Sequence, residues 1–517
     1  MINQIRDLLQ PSMEANADVV ALRWPVKKET EECTYGKLWK NVTLVRSALL
    51  RRNLGGFRIA MTGAASDSWI TAFLSVVTGP MTAVPLDVNL PLQEKIELLQ
   101  RSHAAFLFLG RELAGDAEAI LSACRELKEI VILDGEPAPD HGGKTVGDLV
   151  QEETGKELFD GVPEEEGIAV LLYTSGTTGK SKGVLLSQKN LSENCRYTKV
   201  HCHPGLVLLS VLPVHHAFCL VLDYLKALSL GATVVINDSL LHLLKNMKRF
   251  SPEIMLMVPL MLETIGKKLS SVDPALPAEA VKAEVFGPNL RVIYSGGAHL
   301  NPAYVTLFKR FGVDVLEGYG MSECSPVISQ NTEEEHRTGS VGKPLENAKV
   351  RIENGEILVQ GTSVMKGYDE MEEETRETLR GGWLHTGDLG YLDEEGYLYL
   401  TGRCKNLIIL SNGENVSPEG IEAELSKNPL IGEVVVSGED GALTARIYPD
   451  PDVANAMGLS GDAVSSKLQE LVDAFNESQP SWRHLNRLVV RHYPFLKNTT
   501  QKILRAKAEL DIPPEEA

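Results

Sequence analysis

The stretch that most constrains this chain is Leu171 to Gly183, LLYTSGTTGKSKG. An apolar, strand-like run from Ile168 to Leu172 opens into a loop carrying Thr174, Ser175, Thr177 and Thr178 with Gly176 and Gly179; Lys180 and Lys182 follow. Glycines let backbone N–H groups turn inward, hydroxyls add donors without bulk and lysines add charge, a composition that suits phosphate. An ordinary Gly/Ser/Thr cluster makes a polar surface turn, and the density of donors argues against that here. Gly179-Lys180-Ser181 supplies the ending of a Walker A loop, but that loop needs a glycine where this chain has Thr174.

A chain of 517 residues exceeds what one hydrophobic core serves, so two or more domains are expected. With 43% hydrophobic and 23% charged residues the composition is that of a soluble globular protein. The net charge of −19 argues against nucleic acid or an anionic membrane as the main partner. Seven scattered cysteines without a CxxC pair imply a reducing, cytoplasmic setting. The charged start MINQIRDLLQPSME carries no apolar signal segment. Gly79-Pro80 splits the longest uncharged run, Ser68 to Leu86, which therefore reads as a buried helix, a break and a short strand rather than a transmembrane segment.

From Phe57 onward, apolar runs such as RIAMTG, TAVPLD, AFLFLG and IVILD alternate with helical stretches, among them Leu92 to Ser102 and Glu118 to Leu127. That alternation predicts βα units around a largely parallel sheet. KVRIENGEILVQG predicts a hairpin about Asn354-Gly355, hence a small antiparallel module. After Gly402, short apolar runs and helices over Pro418–Ser426 and Asp462–Gln479 make an α+β unit of domain size. The reading is an N-terminal domain over 1–401, a hinge over 402–406 and a C-terminal domain over 407–517.

The loop at Leu171–Gly183 resembles the phosphate loop of the adenylate-forming superfamily, with Ser181 where proline is usual, and further motifs of that family follow in order. The resemblance covers nearly the whole chain. It implies an α/β fold with a large N-terminal domain of mixed βα subdomains, the small antiparallel module and a small mobile C-terminal domain. In EGYGMSE, the glycines flanking Tyr319 free the backbone for close approach and leave the ring to stack on a flat base. The family likeness makes Glu317, Gly318, Tyr319, Gly320, Met321 and Ser322 adenine-side residues and gives Glu323 to Mg2+, with Thr174 as a second oxygen. A hard cation beside triphosphate prefers such ligands. SGGAHL resembles the family's SGGAPL turn and implies nucleotide contacts from Gly297, Ala298 and His299, the last standing in place of proline.

LPVHHAF matches the segment bordering the carboxylate substrate, and His216 takes the gate position. His201, Cys202, His203, His215, His216 and Cys219 also cluster in sequence, but their spacing fits neither a zinc knuckle nor HExxH. In HTGD and TGR, the likeness assigns Asp388 to the ribose hydroxyls, a task suited to a fixed carboxylate, and Arg403 to ribose or phosphate oxygens. Lys405 takes the hinge position, and Ser411, Asn412 and Gly413 the pantetheine tunnel. KNTTQKILR resembles the closing TxxGKIxR loop, with Lys502 at the catalytic lysine and Gln501 at its glycine.

The likeness implies a two-step reaction using ATP, Mg2+ and CoA. A carboxylate attacks the α-phosphate to give acyl-adenylate and pyrophosphate, and a thiol then displaces AMP. Because an anion attacks a polyanion, cations and N–H donors must gather where charge develops; Lys502, the loop from Thr174 to Gly179 with Lys182, and Mg2+ on Glu323 answer that need. A medium- or long-chain fatty acid is the expected substrate. A free-standing acyl carrier protein as thiol acceptor, and a silent adenylate-binding sensor, are the competing readings.

Overall fold

The structure is a computed structural model that describes residues 3–134, 143–174, 181–273, 275–410, 414–439, 442–497 and 503–513. Ser175, Gly176, Thr177, Thr178, Gly179, Ser411, Asn412, Gly413 and Lys502 lie outside the described residues.

Two large sheets carry the N-terminal part. In the seven-stranded sheet, Arg58–Thr62 pairs in parallel with Thr82–Leu86 and Phe106–Leu109, as the βα alternation predicts. The Ile168–Thr174 strand continues it and turns back antiparallel as Lys182–Ser187. The nine-stranded sheet is built around the parallel strands Val207–Ser210, Thr233–Ile236, Ile254–Met257, Val292–Ser295 and Asp314–Gly320.

The helix Asp67–Val77, started by Ser66 accepting the Trp69 N–H, is buried from Trp69 onward, which is why its sequence is apolar all round. Gly79-Pro80 ends it and the strand Thr82–Leu86 follows, as the sequence predicts. Its packing partner Tyr35–Arg51 starts on Thr34, whose side chain accepts the Lys37 N–H. The largest core cluster joins both helices to residues of both sheets. Helix ends fall short of expectation: Glu118–Leu127 becomes Ala117–Ala123, Asp462–Gln479 becomes Asp462–Glu477, and Leu92–Arg101 and Pro418–Leu425 each stop one residue early.

The strands Ala348–Glu353 and Glu356–Gly361 pair about Asn354-Gly355, and Leu384–Leu392 and Leu398–Arg403 complete a four-stranded antiparallel module. Asn354 (φ 51°) and Gly355 (φ 83°) both adopt the left-handed conformation that this tight hairpin requires. Leu398–Arg403 carries the N-terminal part's pairing through Arg403, since Asp388 and Arg403 are register partners.

Beyond it, the strands Ile431–Glu439, Ala442–Pro449 and Leu485–Val490 pack against Pro418–Leu425 and Asp462–Glu477 around a separate core. That unit touches the N-terminal part through defined polar contacts. Lys267 Nζ lies 2.5 Å from Asp450 Oδ2, and Asn301 Nδ2 donates to the Ser426 carbonyl at 3.3 Å. Among the described residues no helix is long and apolar enough to cross a membrane.

Candidate active site

The site forms where strand ends and two glycine-rich turns meet. Gly296 lies against the Gly318 carbonyl and the Phe218 ring: a Cβ there would stand 3.1 Å from the former and 4.0 Å from the latter. The SGGAHL, EGYG and HHAF segments, far apart in sequence, thus share one wall. Gly297, at φ 85°, faces open space. Gly320 has no room for a side chain, because a Cβ would sit 2.1 Å from the Pro326 carbonyl oxygen. The segments between the strands and the Gly382–Glu422 stretch are joined by Tyr319, whose hydroxyl donates to Asp388 Oδ2 at 2.7 Å. Asp388 Oδ1 in turn meets Arg403 Nε at 2.7 Å, and its own N–H donates to Thr386 Oγ1 at 3.0 Å. Tyr319 and Asp388 are buried while Arg403 is exposed, so a carboxylate is anchored from within and reaches the surface through the guanidinium.

Glu323 follows on the one-turn helix Ser322–Cys324 after Met321. Its Oε1 accepts the Tyr368 hydroxyl at 2.8 Å, and Lys182 Nζ lies 4.7 Å over the Tyr368 ring. Tyr368 therefore connects Glu323 to the strand Lys182–Ser187, and pairing of Tyr368 with Val184 holds it there. Sequence reasoning misses Tyr368: a tyrosine in VMKGY has no spacing that marks it, and only the Gly367–Tyr368 pairing brings it to the site. Thr174 ends the incoming strand with its hydroxyl 3.5 Å from the Lys182 carbonyl. A hydroxyl and a carboxylate are oxygen donors of the kind Mg2+ accepts alongside phosphates and water. The described residues hold no cluster of three or more His, Cys, Asp or Glu side chains able to bind a metal by themselves. The His/Cys cluster of the sequence is dispersed: His201 pairs with Glu334, and Cys219 is buried against Asp223.

The His216 ring centroid is 4.2 Å from that of His215, which lies 3.6 Å from Asp87. Burial holds His215 below the usual imidazole range, Asp87 opposing it. Burial, with the Lys427 charge adding, lowers His299 as well, so the C-terminal unit's Lys427 stands near the SGGAHL turn. Lys405 is held below the usual amine range by burial and by Arg403, with Asp388 opposing.

Glu317 borders a cavity of about 130 Å³ shared with Asn331, His336 and Arg337. Burial pushes its carboxyl up to about 7. The stabilising effect of the protonated form is full below the pKa of the unfolded chain's carboxyl and is lost as pH rises through about 7. Glu317→Gln is expected to melt above the wild type at pH 8 and together with it at pH 5; thermal unfolding at both pH values checks this, and parallel curves would remove Glu317 from the pH dependence.

The chain matches the family described as AMP-binding enzyme over residues 9–369 and that described as AMP-binding enzyme C-terminal domain over 405–511. It is 30% identical to oxalate–CoA ligase of Arabidopsis thaliana across 74% of this chain and 75% of that protein. It is 29% identical to the long-chain-fatty-acid–CoA ligase FadD15 of Mycobacterium bovis, covering 80% and 78% of the two chains. In fold it resembles the anthranilate CoA ligase AuaEII crystallised with anthranoyl-AMP, at a TM-score of 0.85 and 22% identity over 98% and 97% of the two chains. The chain belongs to the AMP-binding enzyme family.

Proposed function

We propose that this enzyme activates a medium- or long-chain fatty acid to its acyl-adenylate and passes the acyl group to CoA, with AMP and pyrophosphate as the other products. Its family makes it an AMP-forming acid–thiol ligase working with ATP, Mg2+ and CoA. The fatty acid is supported by the likeness to FadD15, while the oxalate and anthranilate ligases show that similar chains serve short and aromatic acids. The observation that carries the reading is that the segment from Tyr319 to Glu323 meets Asp388 and Arg403 through its tyrosine and Tyr368 and Lys182 through its glutamate.

In this reading Asp388 accepts the ribose hydroxyls, Tyr319 lies against adenine with Gly318 and Gly320 giving it backbone room, and Arg403 reaches ribose or phosphate oxygens. Glu317, Met321 and Ser322 complete the adenine side, and Gly297, Ala298 and His299 close over it. Glu323 and Thr174 hold Mg2+, which neutralises phosphate charge. Ser175, Gly176, Thr177, Thr178, Gly179 and Lys182 cradle the phosphates. His216 gates the carboxylate, and Lys502 neutralises charge developing at the α-phosphate. The thiol step follows a rotation of the C-terminal domain about Lys405, which brings Ser411, Asn412 and Gly413 towards the pantetheine path. The enzyme is placed in the cytoplasm, where its seven free cysteines stay reduced.

Lys267–Asp450 and the Asn301–Ser426 contact hold the C-terminal unit in its present orientation, and Lys497 lies close enough to oppose the rise that burial imposes on Glu263. We read this orientation as the one that serves adenylation, because it brings Lys497, which precedes the Lys502 loop, to the N-terminal part. Lys267→Ala is expected to raise the thioester half-reaction relative to adenylation, and Lys405→Pro to slow it selectively. Single-turnover assays of the two half-reactions measure the ratio, and an unaltered ratio in both variants would move the hinge elsewhere.

Carboxylate-dependent pyrophosphate release with ATP and Mg2+, from acetate to palmitate plus aromatic acids and with and without CoA, tests the function. Turnover on C8–C18 acids that requires CoA supports it. Release that stops near one equivalent despite CoA assigns an acyl carrier protein as acceptor, and preference for aromatic or short acids overturns the fatty-acid assignment.

A further inference from the structure

A carboxyl stands in the core immediately behind the LPVHHAF segment. Asp223 is fully buried, with no cation beside it among the described residues. Its Oδ1 has no hydrogen-bond partner among the described residues. Burial pushes the group up to about 7, with hydrogen bonds from Ser210 and Cys219 opposing the rise. It sits on the π-helical turn Cys219–Lys226, a geometry that occurs in short pieces and is frequent at functional sites. A buried carboxyl with an oxygen left over costs stability, and an apolar residue would remove that cost. Stability alone does not account for an acid at this position.

Its second oxygen makes contacts that bear on the neighbouring loop. Ser210 ends the strand Val207–Ser210, and its hydroxyl donates to Asp223 Oδ2 at 2.8 Å. The Cys219 thiol lies 3.6 Å from the same oxygen and donates to the Leu212 carbonyl at 3.3 Å. Residues 211–218 therefore form a loop whose two feet are fastened to each other. Within it the His216 N–H donates to the Pro213 carbonyl at 3.1 Å, and the His216 carbonyl accepts the Leu220 N–H at 3.0 Å. The loop carries His215 to within 3.6 Å of Asp87 and the Phe218 ring to Gly296. A shift at its feet moves these contacts together.

We propose that Asp223 is a positioning residue for the carboxylic acid: through Ser210 and Cys219 it locks the feet of the 211–218 loop and so sets where His216 and Phe218 stand. Being buried, it acts through that loop and touches no substrate. The proposal rests on the reading of LPVHHAF as the wall that borders the acid.

Ser210→Ala and Asp223→Ala each remove the lock from one side. In pyrophosphate release on the preferred acid with ATP saturating, each is expected to raise the KM for the acid about fivefold, the weight of one hydrogen bond. The kcat and the KM for ATP should stay within about twofold of the wild type, because the loop borders the acid alone. Asp223→Asn keeps an acceptor for the Ser210 hydroxyl and should restore the acid KM. The double variant Ser210→Ala/Asp223→Ala should do no more than either single one, since both break the same contact. Circular dichroism confirms that the variants fold. An acid KM unmoved in both single variants overturns the proposal, as does a parallel rise in the KM for ATP or an asparagine variant no better than alanine. His216→Ala separates the lock from the wall: an acid KM that rises there but in neither Ser210→Ala nor Asp223→Ala overturns the lock alone, and one that ignores all three substitutions overturns the wall with it.

Discussion

Asp388→Ala is expected to raise the ATP concentration for half-maximal pyrophosphate release by about a hundredfold. Its two oxygens take the Tyr319 hydroxyl and the Arg403 guanidinium, each at 2.7 Å, leaving lone pairs on the same carboxylate for ribose. Two charge-assisted hydrogen bonds to a sugar are together worth about 3 kcal/mol, or about two powers of ten in affinity. The substitution also strands the buried Tyr319 hydroxyl beside the proposed nucleotide site. Asp388→Asn keeps the shape and one acceptor and should fall between the two. ATP titration by calorimetry decides the matter: affinity unchanged in the alanine variant would take Asp388 out of the nucleotide site.

The second large effect belongs to Lys502→Ala, which is expected to cut adenylation from free acid about a thousandfold. A single cation aimed at the charge that develops in a transition state is worth about 3–4 kcal/mol. Thioester formation from supplied acyl-adenylate should stay within about twofold of the wild type if, as proposed, the lysine's charge serves only the first step. The lysine belongs to KNTTQKILR, and the flanking residues Lys497 and Ile503 form an antiparallel bridge. Lys497 is also tied to Glu433 at 2.6 Å. Equal loss in both half-reactions would show a structural defect rather than a catalytic role.

Both effects turn on residues that the amino-acid sequence alone singles out, and the reason is local. EGYGMSE, HTGD and TGR each place their chemistry within a few residues, and their glycines answer backbone needs that are visible in sequence: Gly320 stands where the Pro326 carbonyl leaves no space. Secondary structure is legible for the same reason. The alternation of apolar strands with helices, the break at Gly79-Pro80 and the Asn354-Gly355 hairpin are short-range signals. Helix ends are less so: Ala117–Ala123 stops before its apolar pattern does, because the chain turns at Cys124 towards the strand Glu129–Ile132.

Contacts across long stretches of chain are not legible. Tyr368 reaches Glu323 across a separation of 45 positions, and Tyr319 reaches Asp388 across 69. Nothing in VMKGY or YLKAL distinguishes one tyrosine that serves a site from another that fills a core. Closeness in sequence is no surer a guide, since within the His/Cys cluster His201 pairs with Glu334 while Cys219 is buried against Asp223.

By itself the sequence determined the family and the strand and helix order, and it named the residues proposed for the chemistry, because these depend on side-chain type and on spacings of a few residues. Only the tertiary structure decided that Gly296 lies against Gly318 and Phe218, that Asp388 is shared between Tyr319 and Arg403, and that Asp223 is buried against Ser210. Those facts depend on which distant segments share a sheet edge, and chain connectivity leaves that choice to the packing of the whole core.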